Sequence, residues 1–340
     1  MHDYAGCLHV HSTYSDGDAT VPEILDAARD VGLHFVVLTD HDTTQAHHDG
    51  LEGWHDGVLL AVGSEIHAGQ HHCMALDLQH LDHTPRDTEA QLQHIRAQGG
   101  LAFVVHPHPC HKPIFKLWVP GWTDWHLDTF HGIEIWPYLH DWIADLHLRN
   151  FLPHCLSPDD WITGPEPDIL KQWDIIGLRR RCVGIGALDN HAKRIPTRRL
   201  TLFELLPHRY AFRTVRTHIL SPHPFTGDPT ADLAALYAHL AAGHSYVSYD
   251  LHADPTGFRF HATRNAHTIG MGDETPAGEP IEFHVATPER ATIRLLCNGQ
   301  PIAATTDYTL VTRAIDPGVY RIEAHLDGRP WIFSNPIYVR

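Results

Sequence analysis

Nowhere in the sequence does an apolar run approach the roughly 20 residues needed to cross a bilayer, so no membrane span is expected. The N-terminus, MHDYAGCLHVH, lacks a basic region followed by an apolar stretch and does not read as a secretion signal; the expected location is cytoplasmic. Cysteine is scattered: the six residues at positions 7, 73, 110, 155, 182 and 297 include no C-x-x-C pair. That spacing argues against a disulfide framework or a thiolate zinc site and for small buried hydrophobes. Basic residues are scarce as well. Twenty-five Lys and Arg against 41 Asp and Glu give a formal net charge of −16. Such a surface is not built for long nucleic acids, whereas a small phosphorylated substrate stays open because bound divalent cations reverse the local field.

Histidine, in contrast, is abundant, with 33 among 340 residues. A metal cluster needs fewer than about ten protein ligands, so the count decides nothing and the positions must. The length exceeds that of a usual single domain, and one large domain with a small one is the starting expectation. Over the first two-thirds, short apolar runs alternate with helix-like segments. The runs are Leu8 to Val10, Phe35 to Leu38, Val58 to Val62, Leu101 to Val105, Gly132 to Ile135, Val183 to Ala187 and Leu200 to Leu206. Continuous apolar stretches of this length suit strands covered on both faces, as in a parallel sheet or an α/β barrel.

Three helices are marked. Thr20 and Glu23 form a capping box ahead of the Ile24, Leu25, Ala28, Val31 stripe, with Gly32 as the stop. A second spans about Thr88 to Gln98 before Gly99, and a third Thr230 to Ala242 before Gly243. Beyond residue 250 the period becomes two. Tyr320, Ile322, Ala324 and Leu326 share one face and Arg321, Glu323 and His325 the other, while Asn298-Gly299 is a strong hairpin turn. The division expected is therefore residues 1–250 as an α/β domain and 255–340 as a small Ig-like β-sandwich.

Metal-type side chains stand at the ends of successive runs: His9 and His11, with Asp16 beyond; Asp40 and His41; Glu65; His106 and His108; Asp189 and His191. Strand C-termini of an α/β barrel open on one face, and residues two apart on a strand point the same way. Any one of these residues alone is ordinarily a surface or satisfied core group. Independent caps and surface groups have no reason to recur at strand ends this often, so the joint pattern points to a centre of zinc, manganese or iron.

The segments LHVHSTYSDG, VVLTDHDT, VGSEI, VVHPH and GALDNHA, in that order, resemble the successive motifs of the polymerase-and-histidinol-phosphatase (PHP) family over about residues 5–250. That resemblance implies an α/β fold, a distorted (β/α)7 barrel, holding two or three divalent ions (Zn, Mn or Fe). It implies a first ion on His9, His11, Glu65 and Asp189, and a second on Glu65, His72 and His106, with His71 adjacent to His72. A third would lie on Asp16, His41 and His191, Asp16 standing where some relatives carry histidine. The ending WIFSNPIYVR looks like the appended sandwich of a branch that includes carbamate-cleaving enzymes.

The activity expected is hydrolysis of a small phosphate mono- or diester by a metal-bound hydroxide, with Glu65, Asp189 and His191 in the catalytic set and either Asp189 or His191 passing a proton to the leaving oxygen. Lys193, Arg194 and Lys112 are the candidate phosphate contacts. Glu134 is expected behind the ligands, and Asp40 and Asp42 are expected to orient His41 or hold its loop. A carbamate or amide hydrolase on the same centre is the first alternative, with Trp118, Trp122, Trp125 and Trp136 as its apolar lining. A non-catalytic metal-binding scaffold is the second.

Overall fold

The computed structural model describes residues 1–84, 86–113, 117–265 and 267–340. Its first strand, His2–Val10, pairs in parallel with Phe35–Leu38, which pairs in parallel with Val58–Val62. The intervening helix, Val21–Asp30, begins where its cap dictates: the Thr20 N–H donates to Glu23 Oε2 at 2.7 Å and the Glu23 N–H to Thr20 Oγ1 at 3.4 Å. The other two marked helices run Thr88–Ala97 and Pro229–Ala242, the latter ending on left-handed Gly243. No helix among the described residues is long and apolar enough to cross a membrane.

A second sheet runs in the order Val183–Ala187, Gly132–Pro137, Leu101–Val104, His71–Leu76, Ser64–Ala68. Its first three strands are parallel and its last two antiparallel. The chain passes into it at Gly63, where a Cβ would run into Leu76 and the carbonyl of Ala75. The two-residue turn after Ser64–Ala68 returns the chain antiparallel, since a parallel return needs a crossover of a dozen or more residues.

These sheets do not close into the expected seven-stranded barrel. They meet through isolated bridges, Val10 to Asn190 and His41 to Glu65, backed by His11 N–H to Asn190 O at 3.0 Å and Glu65 N–H to Thr39 O at 3.1 Å. Both bridges lie at the strand ends that carry the metal-type residues.

Leu200 to Leu206 is also corrected. Thr201–Glu204 pairs with Arg194–Pro196 in a separate two-stranded hairpin, leaving Leu200, Leu202 and Phe203 exposed. The neighbour of the first strand is instead Val215–Ser221, antiparallel, followed by Ser245–Tyr249. VRTHILS is no continuous apolar run, and it is buried because its charges are matched from afar. His218 lies 2.8 Å from Asp3 Oδ1 and 3.1 Å from Asp250 Oδ2, and Arg216 lies 3.0 Å from Asp250.

Ile281–Cys297 and Gln300–Ala314 pair antiparallel and turn at Asn298-Gly299, both at positive φ (54° and 77°), as a two-residue hairpin of primed type requires. The apolar residues of the C-terminal strands, among them Phe260, Phe283, Ile293, Tyr320 and Ile322, gather in a core cluster of their own. Arg329–Ser334 pairs with Ser245–Tyr249, so the region continues the first sheet. Four of the six cysteines are buried and none is bonded to another.

Arg321, placed by its period on the solvent face, is buried and forked onto Asp174 of helix Pro167–Gly177 at 2.7 and 2.8 Å, tying the C-terminal strands to that helix. Asp174→Ala removes both forked contacts and leaves the buried guanidinium with Glu323 alone, at 2.6 Å. The expected loss of unfolding free energy is about 3–5 kcal/mol, read from denaturant titration, with a loss below about 1 kcal/mol contradicting the role.

Candidate metal centre

Three of the site residues sit at strand ends in backbone conformations that L-residues rarely adopt: His9 (φ 62°), His106 (φ 28°) and Asp189 (φ 52°). At His9 the ladder to Phe35–Leu38 shifts register between Leu8 and Val10, which re-aims the side chain inward. Backbone held this way is retained where surrounding structure over-determines it, and such residues cluster at functional sites.

The centre is built around one carboxylate. Glu65, 1% exposed, has five imidazoles on its two oxygens. Oε2 lies 3.0 Å from His9 Nε2, 3.3 Å from His11 Nε2 and 3.2 Å from His41 Nδ1. Oε1 lies 2.8 Å from His72 Nδ1 and 2.7 Å from His106 Nε2. Asp189 Oδ1 closes the first group at 3.5 Å from His9 and 3.3 Å from His11. Two donors on one tetrahedral zinc, each at about 2.0–2.2 Å, stand about 3.3–3.6 Å apart. Three of the four imidazole–carboxylate edges among His9, His11, Glu65 and Asp189 have that length.

His11 supplies a second test. Its ring is fully buried, yet neither nitrogen has a hydrogen-bond partner among the described residues. A buried polar group left so costs about 1–3 kcal/mol, and a cation between His11 Nε2 and the two carboxylates would satisfy it. The donor set therefore fits a divalent ion.

Asp16 Oδ1 gathers another group, 3.1 Å from His191 Nε2 and 3.8 Å from His11 Nδ1 and from His41 Nε2. All nine ligand positions expected from the sequence thus lie around Glu65, Asp189 and Asp16, with His72 and His106 both on Glu65 Oε1. Donor atoms converge as His41, Glu65 and His72, and separately as His106, His140 and Asp189. His140 escaped the sequence reading. It sits on helix Tyr138–Ala144 beyond the fifth run, stacked on His106 at 4.8 Å with Nε2 3.5 Å from Asp189 Oδ2. The only sequence signal was its place a few residues past a strand end.

His71 alternates to the other side of its strand, toward Thr88 and Thr123, leaving His72 to the centre. His108 does not join His106: the turn at His106 breaks the period and His108 is exposed. Glu134 stands behind the ligands, accepting from His9 Nδ1 at 2.6 Å and from the His106 N–H at 2.6 Å. It thereby leaves His9 Nε2 free to face the centre. Asp40 holds the loop, accepting from the N–H and hydroxyl of both Ser12 and Ser15 at 2.5–3.1 Å, and half-buried Asp42 pairs with His67.

Of the expected phosphate contacts, only Lys193 is at the centre, 3.6 Å from Asp16 Oδ2. Arg194 is turned to Glu23 at 2.7 Å, and Lys112 donates to the carbonyl of Ala144 at 2.5 Å. Trp118 is exposed, whereas Trp122 and Trp136 are buried and Trp125 packs on the core.

Electrostatically, the carboxylates and imidazoles hold one another charged. Burial pushes the His11 pKa down, but the Asp189 and Glu65 carboxylates, each 3.3 Å from Nε2, outweigh it and raise the value to about 9. His9 behaves alike, with burial overcome by Glu134, Glu65 and Asp189. Burial would raise Glu65 and Asp189, but the facing histidines keep both well below their ordinary values.

No protein-family model matches the chain. It is 29% identical over 148 residues to an uncharacterised protein of Methanocaldococcus jannaschii, a match covering 39% of this chain and 81% of that protein. Among solved structures it is similar to a two-domain protein of Bacteroides vulgatus containing a predicted PHP-like metal-dependent phosphoesterase. That match has a TM-score of 0.43 and 15% identity, covering 98% of this chain and 95% of the other. It is also similar to a candidate metal-dependent phosphoesterase of Bifidobacterium adolescentis (TM-score 0.37, 16% identity, 59% and 91% covered). An amidohydrolase of Chromobacterium violaceum matches at a TM-score of 0.32 with 15% identity, covering 55% and 87%. Superpositions at these TM-scores are loose, and the site's own geometry has to carry the functional reading.

Protons and metal ions compete for these imidazoles. Without metal, a His11 raised from 6.5 to about 9 contributes stability that is complete below pH 6.5 and lost as pH rises through 9. In chelator the melting temperature is expected to fall across that window, and the increase on adding zinc or manganese to widen. A chelated melting temperature that rises from pH 6.5 to 9 would contradict the assignment.

Proposed function

We propose that this chain is a metal-dependent hydrolase that cleaves a small phosphate mono- or diester. The observation that carries the reading is the buried Glu65 carboxylate with imidazole nitrogens on both oxygens at 2.7–3.3 Å, a bridging arrangement for two cations. His9, His11, Glu65 and Asp189 would hold one ion. His41 and His72 share Glu65, while His106 and His140 share Asp189, and Asp16, His41 and His191 form a third cluster, so two or three ions of zinc, manganese or iron are accommodated. Divalent ions bound there supply Lewis acidity and lower the pKa of water toward neutrality.

The side chains do the rest. Glu65 and Asp189 fix the donor positions, Glu134 sets the His9 tautomer, and Asp40 pins the loop that carries Asp16. Lys193, at the exposed rim beside Asp16, meets an oxygen of the phosphoryl group. Water oxygen joins phosphorus, the phosphorus–oxygen ester bond breaks, and the alcohol leaves with a proton. With two ions and the Asp16 cluster empty, His191, hydrogen-bonded through Nδ1 to the Asp189 carbonyl at 3.0 Å and with Nε2 3.1 Å from Asp16, would carry its transferable proton on Nε2 and be placed to pass it; with a third ion bound there it could not. With a formal charge of −16, the chain is suited to small substrates and not to long duplexes.

The test is turnover of p-nitrophenyl phosphate, bis-p-nitrophenyl phosphate and a naphthyl carbamate by metal-loaded protein. Phosphate ester hydrolysis is expected, reduced about 10–100-fold in Glu134→Gln and further in Glu65→Gln, with metal content measured in parallel. Carbamate turnover without phosphate ester turnover would overturn the substrate class. Retained metal with no hydrolysis of any of the three would favour a scaffold.

A further inference from the structure

Beside the centre lies a cavity of about 230 Å³ that none of the hydrolytic groups uses. His140 is the shared wall: its Nε2 faces Asp189 at 3.5 Å and its ring lines the cavity. The floor is apolar, formed by Ile135 and Trp136 at the end of their strand and by Ile169 of the packed helix, each 5% exposed or less.

Of the polar groups on its walls, Trp136 and Asp141 are paired with each other, and His108 and His111 are exposed. The Trp136 indole N–H donates to Asp141 at 2.9 Å, and Asp141 also accepts from Thr163 and from the Gly164 N–H, leaving no free carboxylate oxygen pointing inward. Lys112 is held by the Ala144 carbonyl at the rim. Half-buried Glu166 at the edge would repel a second anionic group.

We propose that this cavity receives the organic group of the substrate, and that this group is an uncharged ring of one or two fused cycles. An apolar cavity of about 150 Å³ accepts benzene, so about 230 Å³ leaves room for a ring somewhat larger. The phosphoryl group lies at the metal ligands and its ester oxygen points across the His140 ring, which acts as a positioning residue. The inference rests on the phosphate ester reading and adds the class of ester: aryl in place of sugar or small alkyl.

Two unreactive probes of equal charge type separate the possibilities, phenylphosphonate and methylphosphonate, titrated calorimetrically into the metal-loaded full chain. Phenylphosphonate is expected to bind about tenfold tighter or more. Ala144→Trp, at an exposed position on the rim, is expected to abolish that preference while leaving methylphosphonate affinity and metal content unchanged. Equal affinities in the unmodified chain, or a preference that survives Ala144→Trp, would overturn the cavity's role. If neither phosphonate binds, it is the phosphate reading that fails. The cavity is then judged on turnover of phenyl against methyl N-methylcarbamate, equal rates overturning it.

Discussion

A carboxylate buried with 1% exposure cannot stand alone, and Glu65 does not: five imidazoles from four separate stretches of chain surround it. Removing such a group from water carries a penalty of several kcal/mol, which hydrogen-bond donors or charge of the opposite sign must offset. In the metal-free protein that charge is protons on His9 and His11; in the functional state proposed here it is divalent cations. The same set of atoms thus answers both to stability and to chemistry, and metal occupancy, pH and folding are coupled through it.

This requirement explains features of the fold that are otherwise odd. Two sheets that do not close on each other are stitched together at the ends where the ligands lie, by the bridges at Val10 to Asn190 and His41 to Glu65. Left-handed backbone at His9, His106 and Asp189 turns side chains into the gap between the sheets. Farther back, Glu134 is shared between a ring nitrogen of His9 and the backbone of His106, so one residue fixes groups from two strands. Both supports of the ligand shell, Glu134 and Asp40, are buried.

Much of this was legible before any coordinates. Phe35–Leu38, Val58–Val62 and Val183–Ala187 have the bounds expected of them, because strands buried on both faces write themselves as unbroken apolar runs. The ligands were legible because they follow those runs. What escaped depends on distant partners. Val215–Ser221 carries Arg216 and His218 into the interior only because Asp3 and Asp250 meet them there. Arg321 is buried against the rule of its own strand because Asp174 arrives from a helix about 150 residues earlier. His140 lies on a helix with no motif to mark it, and His108 was paired with His106 by a period that a single left-handed residue destroys. The Leu200 to Leu206 run shows the converse: apolar composition alone does not bury a segment that pairs only with its own hairpin partner.

The most direct measurement is the anomalous difference density of crystals grown with manganese or zinc. The account predicts an ion at about 2.0–2.3 Å from His9 Nε2, His11 Nε2, Asp189 and Glu65, with a second ion sharing the Glu65 carboxylate. Ions bound elsewhere, with Glu65 hydrogen-bonded only to protonated histidines, would contradict it.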